Sequence, residues 1–101
     1  LNPDIALFNL AFAYRIAGRY AEAIPPMKRY QARHPDSALP HFHLAVCYAE
    51  LNQLAEARVA AAEWMRLNPK FSPDAFATFW PMKDPEVVER TIAALRKAGV
   101  K

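Results

Sequence analysis

His43 and Cys47 stand four residues apart in a stretch with helical periodicity, and at that spacing two side chains on one helix face can hold half of a zinc site. His41 is two residues from His43 and points to another side. A structural zinc site takes four ligands, and this chain has a single cysteine and no second His/Cys pair to complete the set. Cys47 therefore reads as a small packed residue and His43 as a polar group facing a groove. Phosphate chemistry is excluded in the same way, because the only glycines are Gly18 and Gly99 and a phosphate-cradling loop needs several close together. The two serines, Ser37 and Ser72, sit in no nucleophile motif. The chain carries no enzyme constellation and implies no metal and no cofactor.

The elements that position these residues are helices. Apolar residues recur with a 3.6-residue period, and Pro and Gly punctuate the chain, which predicts helices over 4–17, 20–33, 38–51 and 54–67. The first is apolar on two sides, with Leu7, Leu10, Ala11 and Tyr14 on one and Phe8, Phe12 and Ile16 on the other. Pro25-Pro26 removes two backbone donors, so the second helix is expected to bend or start late. Beyond Pro69 two more helices follow. Ser72-Pro73 opens one that carries Phe76, Phe79 and Trp80, read as the buried face of a cap. Asp84-Pro85 opens the other, with Val88, Ile92 and Leu95 as its apolar stripe, and Gly99 ends it. Acids lead this last helix and Arg96, Lys97 and Lys101 trail it, an order that suits the helix dipole and calls for no nucleic-acid or membrane explanation.

Residues 4–37 and 38–71 superpose without a gap at a spacing of 34, and eight positions carry the same residue in both copies. The pairs are Phe8/Phe42, Leu10/Leu44, Ala11/Ala45, Tyr14/Tyr48, Ala21/Ala55, Glu22/Glu56, Ala23/Ala57 and Pro35/Pro69. Leu10, Ala11, Tyr14, Ala23 and Pro35, with Leu44, Ala45, Tyr48, Ala57 and Pro69, resemble the tetratricopeptide repeat, a helix-turn-helix unit of that period. Gly18 fits the family's turn, and Asn52 replaces it in the second copy, where Asn also accepts a left-handed backbone. The resemblance implies an all-α solenoid: the end of a preceding repeat over 1–3, units over 4–37 and 38–71, and a helical cap over 72–101. It also implies a concave surface lined by first-helix residues, here Phe8, Asn9, Phe12 and Arg15 with Phe42, His43 and Val46. Lys and Asn clamp a terminal carboxylate at such places in some of these proteins, but Phe8 and Phe12 stand there instead. An apolar anchor is the better fit, oriented by Asn9, Arg15 and His43. On this reading Phe12→Ala or Phe42→Ala weakens a partner without unfolding the array.

At 101 residues the chain is one domain, and two units are too few to bury their own faces, so it reads as part of a longer array. Thirteen basic residues interleave with ten acids for a net +3, which leaves no basic stripe for nucleic acid. No apolar run approaches bilayer length, and one cysteine excludes a disulfide framework, together giving an expected cytoplasmic module. The tail, from Phe71-Ser72 through Lys83-Asp84-Pro85 and Glu89-Arg90 to Leu95-Arg96-Lys97-Ala98-Gly99, is similar to the ends of bacterial tetratricopeptide proteins linked to class III adenylate or guanylate cyclase domains. The expected function is a protein- or peptide-binding or self-association scaffold of a larger bacterial protein, with a regulatory or dimerising region of such a cyclase as the alternative. The chain has neither the strands nor the metal-binding aspartate pair of the cyclase itself.

Overall fold

Three helix ends are written the same way, and they set the layout. The computed structural model describes residues 3–79 and 84–100, with the side chains of 77–79 left aside, and these residues form six α-helices and no strand. They are α1 (Pro3–Ile16), α2 (Tyr20–Arg33), α3 (Leu39–Glu50), α4 (Leu54–Leu67), α5 (Pro73–Phe79) and α6 (Pro85–Lys97). After α1, α3 and α6 the chain turns through a left-handed residue, Gly18 at φ 79°, Asn52 at φ 59° and Gly99 at φ 97°. At each, the next amide reaches back to a carbonyl of the last turn: Arg19 N–H to Tyr14, Gln53 N–H to Tyr48 and Val100 N–H to Leu95, all at 2.8–2.9 Å. These are Schellman closures, which satisfy carbonyls that the helix leaves free. The helices of the tail start on the residues expected. Ser72 Oγ accepts from Ala75 N–H at 3.1 Å, and Asp84 Oδ1 accepts from Glu86 N–H at 3.0 Å.

Two helical hairpins, α1–α2 and α3–α4, lie side by side with α2 packed on α3. Their interiors repeat as their sequences do. Phe8 meets Tyr30 edge-on at 5.2 Å and 60°, and Phe42 meets Trp64 at 5.1 Å and 61°. Ala23 and Ala57 are fully buried, so no side chain holds the paired helices apart at those points. Of the two expected responses to Pro25-Pro26, a bend or a late start, α2 does not show the late start: it fills the expected span, beginning at Tyr20 and running through both prolines to Arg33.

The core centres on α3. Every residue from Phe42 to Ala49 is buried, because α2, α4 and α6 all pack against this helix. A helix enclosed in this way has no polar face to keep, which fits a run from Phe42 to Ala49 that is apolar but for His43 and the Tyr48 hydroxyl. α5 pairs with α6, and α6 lies on α3. The buried side of α6 is rotated from the expected stripe and keeps only Leu95 of it. Val87, Thr91, Ala94 and Leu95 are buried, whereas Val88 and Ile92 are only half-buried. Thr91 reads as polar, yet its hydroxyl donates to Val87 O at 2.9 Å and so can face the interior. Among the described residues no helix is long and apolar enough to cross a membrane.

Candidate functional site

The residues expected to line one open concave groove fall into three environments. Asn9 is exposed, Phe8 and Phe12 are half-buried, and Arg15, Phe42, His43 and Val46 are buried. Their positions on α1 and α3 do converge, but α6 covers the carboxyl half of the arrangement. Arg15 Nη1 donates to Thr91 Oγ1 of α6 at 3.0 Å, and Arg90 Nη2 donates to Ile16 O at 3.4 Å. Val46, 1% exposed, and Phe42, 3% exposed, are core residues. The expectation that Phe42→Ala spares the fold is therefore revised.

Arg15 and His43 form the electrostatic centre of the covered part. Arg15, 3% exposed, places its guanidinium carbon 5.4 Å from the Phe12 ring centroid and 5.9 Å from that of Phe42. Among the described residues no ion pair reaches it, and its Nε and Nη2 have no hydrogen-bond partner. Burial holds its pKa below the usual arginine value, and the nearby Arg90 charge adds to that. His43 sits edge-on to Phe8, Phe12 and Phe42 at 5.2–5.7 Å. Burial, and secondly the charge of Arg15, push it down to about 3, so its imidazole is neutral at neutral pH. Enclosed in this way, Arg15 cannot orient a ligand from solvent. Of the three polar residues assigned that task, only Asn9 is exposed.

Cys47 is buried and its thiol is pushed up to about 12, chiefly by burial, so it carries no thiolate at neutral pH. Among the described residues no three His, Cys, Asp or Glu side chains stand together as a metal site, and the His43–Cys47 pair gains no further ligand.

The open part of the site lies toward the amino half of α3. A cavity of about 310 Å³ is walled by Phe42 and His43 of α3, Trp64 of α4, Phe71 and Ser72 of the following loop, and Ala75 and Phe76 of α5. Leu39, 45% exposed, and Lys70 stand at its rim. The aromatic rings hold one another: Trp64 and Phe71 meet at 5.3 Å, Phe42 and Phe76 at 5.5 Å, and Phe71 and Phe76 at 6.3 Å. Such a pocket accepts one or two apolar side chains and offers little to a highly polar ligand. Phe42 and His43 are the groove residues it retains, while Phe76 was expected on the buried face of a cap and Trp64 and Phe71 were given no place in a site. The repeat itself points to one of them, since one further step of 34 from Phe8 and Phe42 lands on Phe76. Phe79 was grouped with it, but its side chain, like all of Trp80, lies outside the described residues.

A family model described as tetratricopeptide repeat matches residues 4–77, which takes in nearly all of α1, then α2, α3, α4 and the first residues of α5. No curated protein and no solved structure matches the chain.

Proposed function

The chain belongs to the tetratricopeptide repeat family, whose repeats generally mediate contacts between proteins, and from that premise we propose that it binds a partner polypeptide by seating an apolar anchor in the pocket between α3, α4 and α5. The observation that carries this reading is the aromatic wall of Phe42, Trp64, Phe71 and Phe76 around an open space of about 310 Å³. Burying a Leu- or Phe-sized side chain there contributes about 1.5–3 kcal/mol, enough for one anchor of a modest peptide affinity. Lys70 at the rim favours an acidic residue beside the anchor. The rings are packed on one another before any ligand arrives, so little side-chain entropy is lost on binding.

The test uses Ala75→Trp, which fills the pocket from its half-buried edge, and Leu39→Glu, which places a charge at its exposed rim. Phage-displayed peptides selected on the unmodified chain are expected to carry an aromatic or aliphatic anchor and to lose about tenfold or more in affinity for either variant. Helix content by circular dichroism should be unchanged in both. Peptides that bind the variants as well as the parent would place the binding surface elsewhere.

A further inference from the structure

α6 does not lie where the internal repeat would put it. A third hairpin continuing the stack would set α5 on α4 as α3 is set on α2, yet α5 has no comparable packing on α4. α6 instead returns across α3 and reaches the carboxyl end of α1 through Arg15 and Ile16. The tail helix thus covers a surface made by the first helices of both units. Its buried side is Val87, Thr91, Ala94 and Leu95.

What α6 brings to that surface suits Arg15 poorly. It offers the guanidinium one neutral acceptor, Thr91 Oγ1 at 3.0 Å from Nη1, and leaves Nε and Nη2 without a partner on a residue 3% exposed. Arg90, one position before Thr91, sets a second positive charge near the first, and its own Nε is buried without a partner too. Among the described residues no carboxylate answers these charges. Glu86 and Glu89 of α6 are exposed, and Glu50 of α3 is engaged by the hydroxyl of Tyr20. A buried guanidinium without an anion leaves its desolvation uncompensated, so α6 closes the surface at a cost to its own docking. The other polar contacts of α6, from Lys97 to Asn52 and from Arg96 to Asp74 of α5, are exposed and add little.

The place of Thr91 shows what would fit better. Aspartate has nearly the volume of threonine, and its two oxygens can accept from two guanidinium nitrogens together. α6 is tethered and so holds its place at a high effective concentration. A free helix displaces it only by making a better contact, and the unpaired guanidinium provides one.

We propose that α6 is a displaceable occupant of the surface formed by α1 and α3, and that this surface takes an amphipathic partner helix whose carboxylate pairs with Arg15 where Thr91 now stands. Small or aliphatic residues four before the acid and three and four after it, the places of Val87, Ala94 and Leu95, complete the match. The surface lies over the carboxyl half of α3, apart from the pocket at the amino half.

The probe is a fluorescein-labelled peptide of residues 84–101 carrying Thr91→Asp, titrated into the full 101-residue chain and followed by anisotropy. It is expected to bind about tenfold or more tighter than the same peptide with threonine. Amide exchange, read by NMR on the isotope-labelled chain in the complex, should show α6 unprotected while α3 stays protected. Arg15→Met in the chain should abolish binding of the aspartate peptide. Thr91→Asp in the chain should weaken the peptide about tenfold or more, because the tail then pairs with Arg15 itself. Ala75→Trp should leave the titration unchanged, which separates this surface from the pocket. Equal binding of the two peptides, binding that survives Arg15→Met, tighter binding by the Thr91→Asp chain, or a complex in which α6 stays protected would each overturn the proposal.

Discussion

Arg15→Met should make the protein more stable, although it removes a buried hydrogen bond and two ring contacts. On the losing side is the bond from Nη1 to Thr91, worth about 1 kcal/mol against a neutral acceptor. The two contacts over Phe12 and Phe42, at 5.4 and 5.9 Å, add about 0.5–1 kcal/mol each. On the other side, Nε and Nη2 are buried without partners, at about 1–3 kcal/mol apiece. The unpaired charge adds a desolvation penalty of several kcal/mol. Thr91 is not orphaned by the change, because its hydroxyl still donates to Val87 O. Methionine fills a similar volume and adapts to irregular surroundings. The expected balance is a gain of about 1–4 kcal/mol, the range found when hydrophobic residues replace buried ion pairs. Urea unfolding followed by circular dichroism reads it directly, with a raised midpoint at an unchanged slope. A loss of about 1 kcal/mol or more would refute the reasoning, because it would mean that the guanidinium has a strong partner in solution, such as an enclosed anion.

His43 gives the fold a pH dependence of definite sign. Its folded value of about 3 lies below the usual 6.5, so only the unfolded chain takes up this proton between those limits. The neutral form's contribution is complete above about pH 6.5 and falls by about 1.4 kcal/mol per pH unit below it, some 3 kcal/mol by pH 4, as urea midpoints against pH should show; His43→Leu should remove that component. Phe42→Ala should lower stability by about 3–5 kcal/mol, measured by thermal or urea unfolding, and a loss under 1 kcal/mol would contradict its place in the core. Cys47 should resist iodoacetamide in the folded protein at pH 8 and react once urea unfolds it, because burial keeps its thiol protonated; rapid labelling without denaturant would refute that.

Local chemistry made most of the architecture legible, because helix ends are decided by a few residues whose backbone preferences need no tertiary context. Gly18, Asn52 and Gly99 close their helices with positive φ, and Ser72 and Asp84 cap theirs, each where its residue type indicates. The unit period was equally plain, since the repeated Ala11/Ala45 and Ala23/Ala57 pairs are buried at equivalent places in two hairpins. What local chemistry does not carry is where the tail goes. Arg15 is buried by a threonine 76 residues away in the chain, and nothing in the first unit signals that partner. The same contact turns Thr91 inward and shifts the buried side of α6 from the purely apolar stripe of Val88 and Ile92. The pocket was not legible for a related reason: its walls come from α3, α4, a loop and α5 together, so no single periodicity outlines it.

The enclosure of α3 by α2, α4 and α6 also bears on the order in which the molecule comes apart. Two of its three neighbours are adjacent in sequence and can zip onto it with little loop closure, whereas α6 must return from the far end of the chain. Backbone amides of α3 should therefore exchange with solvent only when the whole fold opens, and those of α6 through a smaller detachment that leaves the two hairpins formed. Such a detachment would briefly hydrate the guanidinium of Arg15, so the tail is where the resting protein first meets water.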